Sequence, residues 1–437
     1  MFAILIGKLT AFILHIFGKG ATTLPGRVAL KIKATLIKSL SQGVKIICVT
    51  GTNGKTTTCA LLEHTLNKNG ISYFINKSGA NMISGIATAF LVNSTIGGKC
   101  KKDYAILECD ENSLPKITKY LSADIIAVTN IFRDQLDRYG ETSITLAKIC
   151  EGIKNNPSAR VLLNADCPLT YSLSKQIKNP VFTFGISESL SVKSVSDAKY
   201  CPICDRELIY KSRTFAQLGN YLCPRCSYSR PKPDFEISEI KTSENGGYSF
   251  IISGEIMSTV LGGIYNLYNI CCAYSVLSLI SVKNTNPLCT FTGAFGRMES
   301  FKSGDNTILL LLVKNPVGLS GCIKYVSAIQ GAPLIVFALN DNDADGRDVS
   351  WIWDSDFTPL RDNSAPVYTL GRRSYDMALR LKYDGINAEI LSGEAYKELI
   401  EIIVKHSRDT VIFSSYTAMM TLRKSLIDRF GGKEFWE

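Results

Sequence analysis

The chain has 437 residues, 46% hydrophobic and 20% charged, with a net charge of +10. That length allows two or three ordinary domains, and that composition excludes a disordered, fibrous or repetitive chain. Lys and Arg are scattered, apart from pairs such as Lys101-Lys102 and Arg372-Arg373, so the basic balance alone does not mark a nucleic-acid stripe.

The opening stretch, MFAILIGKLTAFILHIFGKG, is an apolar run from Phe2 to Phe17 interrupted by Lys8 and His15. It is short for a bilayer span. Two readings stay open: an interfacial helix that brings the chain to a membrane-bound substrate, or a terminal helix packed on the protein. There is no cleavable signal peptide with a small-residue exit site, and six of the 14 Cys (Cys48, Cys59, Cys109, Cys150, Cys271, Cys272) sit in apolar runs. Both points favour a reducing cytoplasm. Residues 1–43 form this N-terminal helical segment.

From Val44 onward the runs VKIICV, YAILE, DIIAVTNI, RVLLNAD and VFTFGI alternate with helical patterns. Such runs, buried on both faces, indicate a parallel sheet covered by helices. TILLLLV, PLIVFALN, VYTLG and TVIFSS form a second set after residue 300 and predict a second, smaller α/β unit. The expected organisation is a central ATP-binding domain over 44–290, interrupted by an insertion at 197–231, and a Rossmann-like C-terminal domain over 291–437.

The strand VKIICV runs into TGTNGKTTT and then a helical segment, which is the setting of a phosphate-cradling loop. Gly51 and Gly54 let backbone N–H groups approach phosphate oxygens, and the helix N-terminus adds its positive dipole end. Lys55 would reach the β- and γ-phosphates, and the Thr56 hydroxyl would coordinate Mg²⁺. Gly51, Thr52, Asn53, Gly54, Lys55, Thr56 and Thr57 form the expected nucleotide set. The general loop has Gly six positions before the Lys, where this chain has Val49, so GTNGKT is a variant.

Cys201-Pro-Ile-Cys204 and Cys223-Pro-Arg-Cys226 are two knuckles with 18 residues between them. Thiolates spaced this way on tight turns complete a tetrahedral Cys₄ site, which predicts a structural zinc ribbon inside 197–231. Arg206, Lys211, Arg213, Arg225 and Arg230, with Tyr210, Phe215, Tyr221 and Tyr228, would permit RNA contact. The alternative is a ribbon that stiffens its domain or supports a partner.

The variant loop resembles that of the Mur ligase and folylpolyglutamate synthase superfamily, and further segments match in order: YAILECDE, TNIFRDQLDRYGE, LLNADCP, GGIYNLYNICCAY, FGRMES and VKNPVG. The resemblance covers nearly the whole chain from residue 44. It implies that Glu108 ligates Mg²⁺, that Asn266 and Asn269 lie near the adenine, and that Arg297 contacts phosphate. Two positions depart from the pattern. Gln135 stands where a His commonly ligates a second Mg²⁺, and an amide oxygen is the weaker ligand; Lys314 stands where another His is usual. The chain has only His15, His64 and His406, and none falls in a catalytic slot of the superfamily.

Within that superfamily the Cys₄ insertion, Gln135, KGATTLPGRVALKI and DNDADGRDVSWIWD resemble the MurT family of synthetase subunits. The resemblance implies ATP-dependent activation of the D-glutamate α-carboxylate of the lipid II stem peptide. Ammonia from a separate glutaminase subunit, GatD, then displaces phosphate to give D-isoglutamine. It thus implies ATP, Mg²⁺ and Zn²⁺ as cofactors, GatD as partner and lipid II as membrane-anchored substrate. Asp341, Asp343, Asp345, Asp348 and Asp354 crowd the DNDADGRDVSWIWD loop beside Trp351 and Trp353. The loop reads either as a solvated acidic loop over packed tryptophans, or as an interface in which Asp348 orients the catalytic His of the glutaminase, as a third triad member would. Two other functions remain to be separated: a Mur-type ligase adding an amino acid instead of ammonia, and a nucleic-acid-binding ATPase using the ribbon.

Overall fold

The structure, a computed structural model, describes residues 1–17, 22–76, 80–134, 142–187, 198–243, 246–293, 297–327, 331–391, 393 and 395–431. The chain forms two compact units. The first comprises Met1–Phe132, Thr142–Val260 and Ile264–Phe291, and the second Arg133–Glu141, Leu261–Gly263 and Thr292–Glu437.

The first unit is built on strands β1 (Lys45–Thr50), β2 (Tyr73–Ile75), β3 (Tyr104–Glu108), β4 (Ile125–Val128), β5 (Arg160–Asn164) and β6 (Val181–Ile186). After an inserted hairpin of β7 (Ile209–Phe215) and β8 (Leu218–Leu222), the sheet resumes with β9 (Phe235–Thr242), β10 (Tyr248–Ile252) and β11 (Glu255–Thr259). The order across the sheet is β11-β10-β9-β6-β5-β4-β1-β3-β2, parallel from β2 to β9 and antiparallel at the β10–β11 edge. In β3 and β4 every side chain is buried, and in β1 all but that of Lys45. Burial on both faces is why the sequence shows unbroken apolar runs there instead of alternation. β2 is only three residues long, too short to leave a periodic signal. The single cysteines of the apolar runs are buried and unpaired, as small hydrophobes.

Register brings three strand ends level. Val49 lies opposite Glu108 in β3, and Thr50 opposite Val128 in β4. The loops leaving β1 and β4, together with the last residue of β3, therefore gather at one C-terminal sheet edge, where α/β proteins build their sites.

The second unit holds a six-stranded sheet of β12 (Arg297–Ser303), β13 (Asn306–Leu312), β14 (Leu334–Ala338), β15 (Val367–Leu370), β16 (Glu389–Ile390) and β17 (Thr410–Ser414), in the order β12-β13-β17-β14-β15-β16. Only β12 runs antiparallel to its neighbour. Ile308, Leu310, Val336 and Ile412 from the sheet pack with Leu399 and Leu422 from its helices.

The opening apolar run forms a helix, Phe2–Ile16, that buries Ala3, Ile4 and Gly7. Among the described residues no helix is long and apolar enough to cross a membrane.

Candidate active site

The loop after β1 is held open by glycine. Gly51 has φ +119° and Gly54 φ +89°, both in the region closed to most L-residues. A Cβ on Gly51 would overlap the Thr129 hydroxyl, and one on Gly54 would overlap Asn269 Oδ1. Gly54 is the N-cap of the helix Lys55–Lys68, and no side chain caps it. The first helical bond runs from Thr58 N–H to the Gly54 carbonyl at 2.9 Å. The N–H groups of Lys55, Thr56 and Thr57 precede that bond and lie at the positive end of the helix dipole. This cradle fits phosphate.

Side chains from the end of β4 fix the loop's shape. Asn130 Oδ1 accepts from Asn53 N–H at 2.9 Å, and Asn130 Nδ2 donates to the Asn53 carbonyl at 3.0 Å. The Thr129 hydroxyl donates to that same carbonyl at 2.7 Å. Thr52 Oγ1 accepts from Phe132 N–H at 3.0 Å. On the other side, Asn269 lies against Gly54, and its Nδ2 donates to Asn266 Oδ1 at 3.1 Å.

Lys55 and Thr56 face carboxylates. Thr56 Oγ1 donates to Glu108 Oε1 at 3.1 Å, so the two expected Mg²⁺ ligands already touch. Hydroxyl and carboxylate oxygens at a phosphate cradle are the hard donors that suit Mg²⁺. Asn76 grips the Glu108 backbone, accepting from its N–H at 2.8 Å and donating to its carbonyl at 3.0 Å. Lys55 Nζ donates to Glu111 Oε1 at 2.6 Å and to the Gly51 carbonyl at 2.5 Å. Burial works against the Lys55 charge. Glu111, with Glu108 and Asp110 behind it, outweighs that effect and holds the pKa above its ordinary 10.5. Sequence reasoning missed Glu111, Asn130 and Thr129; only the TNI segment, already part of the ordered series, carried a signal for the last two.

The four ribbon cysteines come together. Their Sγ atoms lie within 4.8 Å of one another, with Cys201–Cys226 at 3.6 Å and Cys204–Cys223 at 3.5 Å. Each knuckle closes through a left-handed residue, Asp205 and Ser227, both at φ 58°. In the first knuckle Cys201 N–H donates to the Arg206 carbonyl at 2.8 Å; in the second Cys223 N–H donates to that of Tyr228 at 2.7 Å. Four converging thiols are a donor set for a tetrahedral, closed metal site.

The ribbon is clamped onto the sheet. Arg230 Nε sits 2.7 Å from the buried Asp166 carboxylate, which also accepts from Tyr268 OH at 2.7 Å and Ile186 N–H at 2.9 Å. Tyr221 and Tyr228 are buried, and Tyr228 OH donates to the Pro168 carbonyl at 2.6 Å. These rings pack inward. The hairpin tip reaches the residues after β4: Gln217 Nε2 donates to the Ile131 carbonyl at 2.7 Å, and the Phe215 ring meets Phe132 edge-on.

In the second unit, Lys314 Nζ lies 2.6 Å from Asp134 Oδ2. Gln135 lies outside the described residues, as does the side chain of Arg297, which opens β12. In the acidic loop Asp341 pairs with Arg372 and Arg373, Asp343 with Arg347, and Asp354 with Arg133. Asp345 is buried and accepts from Thr417. Asp348 accepts within its own turn, from Ser350 N–H at 2.8 Å. Trp351 is buried beneath the loop and Trp353 is exposed. His64 hydrogen-bonds Thr290, and His406 hydrogen-bonds Tyr368.

A mixed sheet with a glycine-opened phosphate loop, paired with a second α/β unit, defines a Mur-type ligase fold. The Mur ligase middle domain matches residues 49–209. A pseudomurein peptide ligase type C from Methanothermus fervidus superposes with a TM-score of 0.68 at 20% identity, over 88% of this chain and 79% of that one. The MurT ligase C-terminal family matches residues 312–419. The lipid II isoglutaminyl synthase (glutamine-hydrolysing) subunit MurT of Streptococcus pneumoniae is 36% identical over 98% of this chain and 96% of that protein. The subunit of the same name from Staphylococcus aureus is 33% identical over 98% of each. The chain belongs to the MurT family.

Proposed function

We propose that this chain is the synthetase subunit of a lipid II isoglutaminyl synthase, amidating the D-glutamate α-carboxylate of the stem peptide with ammonia from a GatD-type glutaminase. The observation that carries the reading is the meeting of Lys55, Thr56 and Glu108 at a glycine-opened phosphate loop, in a chain whose relatives are named as such subunits.

A carboxylate is inert to ammonia until one oxygen leaves as phosphate. In the proposed sequence a carboxylate oxygen attacks the γ-phosphorus of ATP and ADP departs. Ammonia then attacks the carbonyl carbon, phosphate leaves, and the nitrogen sheds a proton. Mg²⁺, held by Thr56 and Glu108, would neutralise charge on the transferred phosphoryl group. The N–H groups over Gly51–Thr57 hold the phosphates, and Lys55 adds a fixed positive charge. Asn266, Asn269 and Arg297 are assigned to the nucleotide, and Zn²⁺ to Cys201, Cys204, Cys223 and Cys226. Asp348, an acid with no ion pair among the described residues, is assigned to orienting the partner's catalytic His. Fourteen unpaired cysteines support a cytoplasmic setting.

The test is reconstitution. With a GatD-type glutaminase, glutamine, ATP and lipid II, the chain should yield amidated product and ADP. Ammonium should replace glutamine and glutaminase, whereas free amino acids should not be incorporated. Amino-acid addition without amidation would overturn the reading.

A further inference from the structure

The helix Phe2–Ile16 divides its side chains by face. Ala3, Ile4 and Gly7 pack against the first unit. Lys8 Nζ donates to the Ser94 carbonyl at 2.5 Å, tying the helix to the turn after the helix Ile83–Asn93. Phe2, Leu5, Leu9, Phe12, Ile13 and Ile16 recur at helical spacing on the opposite face. All are exposed: Phe2 by 68%, Phe12 by 62% and Ile16 by 65%. Val92 and Ile96, on the segments that the helix packs against, are exposed as well. A contiguous apolar stripe of this kind marks a surface that meets something other than water.

Charge identifies the occupant. The first acidic residue in the chain is Glu63, and Lys8, Arg27, Lys31, Lys33, Lys38 and Lys45 precede it. Arg27 and Lys31 lie on the next helix, Leu24–Ile32, with Lys33 just beyond it, and all three are exposed. An apolar stripe flanked by cations and free of local carboxylates complements acyl chains below anionic headgroups. With 15 residues, the helix rises about 22 Å, short of the ~30 Å hydrocarbon core. It suits lying in the interface, not crossing it.

We propose that the exposed face of Phe2–Ile16, with the basic residues of Leu24–Ile32 and Lys33, docks on an anionic phospholipid bilayer. The surface alone carries this proposal, independently of the amidation reading. The test is co-sedimentation of the full chain with vesicles of phosphatidylglycerol and phosphatidylcholine at physiological salt. The expected result is binding that weakens about tenfold or more on pure phosphatidylcholine, and likewise with Arg27→Glu/Lys31→Glu. Phe12→Ser/Ile16→Ser should abolish binding while leaving the thermal melt unchanged, because both side chains already face solvent. No binding of wild type to the mixed vesicles, equal binding to pure phosphatidylcholine, or undiminished binding of the Phe12→Ser/Ile16→Ser chain would each overturn the proposal. A wild-type dimer that the same double substitution makes monomeric, without vesicle binding, would assign the face to a second copy of the chain instead.

Discussion

Lys55 and Glu111, 56 positions apart, form a buried ion pair at the foot of the phosphate loop, with Nζ 2.6 Å from Oε1. Removing one partner strands the other's charge out of water. Glu111→Ala should therefore cost about 3 kcal/mol, read by urea unfolding followed by circular dichroism. Native Lys55 binds its proton more tightly than the unfolded chain does, so the pair's contribution is complete below the ordinary pKa of 10.5 and fades as pH rises through the raised native value. The gap between wild type and variant should close at strongly alkaline pH. Lys55→Ala should lower amidation about a hundredfold or more; an undiminished rate would remove the basis of the proposed chemistry.

Gly54→Ala places a methyl group on Asn269 at a left-handed backbone position. The loop must shift, and with it the N–H groups of the helix start. Nucleotide affinity should fall at least about tenfold, measured by calorimetric titration with a non-hydrolysable ATP analogue. An unchanged affinity would separate this loop from the nucleotide.

Purified chain should carry one zinc per molecule by elemental analysis, and Cys204→Ser/Cys223→Ser should carry none. Thiolates must lose their protons to bind metal, so acidification should release it. Loss of the metal should lower the first unit's melting temperature by roughly 5 °C or more. A metal-free wild type of equal stability would contradict a structural role.

Arg230 and Asp166 join the ribbon to the sheet, and Asp166 is fully buried. Arg230→Ala leaves that carboxylate, among the described residues, with Tyr268 OH and the Ile186 N–H as its donors, and should cost about 3 kcal/mol in chemical denaturation. A loss under about 0.5 kcal/mol, the size of a surface pair, would show the clamp to be slack.

Asp348→Asn keeps the turn to Ser350 but removes the charge. Glutamine hydrolysis by the assembled complex should drop about a hundredfold or more, while ammonium-driven amidation by the synthetase chain stays near wild type. Unchanged hydrolysis would return the acidic loop to a solvated surface.

The sequence announced what is contiguous or evenly spaced. The phosphate loop lies within seven residues, and the cysteine knuckles declare a metal site because ligand spacing is itself the signal. Strands buried on both faces appeared as unbroken apolar runs. Glu108 was legible through the resemblance of the segment YAILECDE to that of the Mur ligase superfamily. Glu111 was not, since its pairing with Lys55 depends on β3 lying beside β1 in one register. The reciprocal grip of Asn130 on Asn53 was hidden for the same reason. The reach of Gln217 to Ile131 across 86 positions arises from the docking of the inserted hairpin, which no local pattern encodes.

That reach has a thermodynamic corollary. Ile131 and Phe132 are held on one side by the ribbon's Gln217 and Phe215, and on the other Phe132 N–H holds Thr52 inside the phosphate loop. If the ion orders the hairpin and the hairpin steadies the loop, each ligand strengthens the other's hold by the same factor, because coupling free energies are reciprocal. Loss of the metal would then weaken nucleotide binding, and bound nucleotide would in turn tighten the cysteine site on its metal.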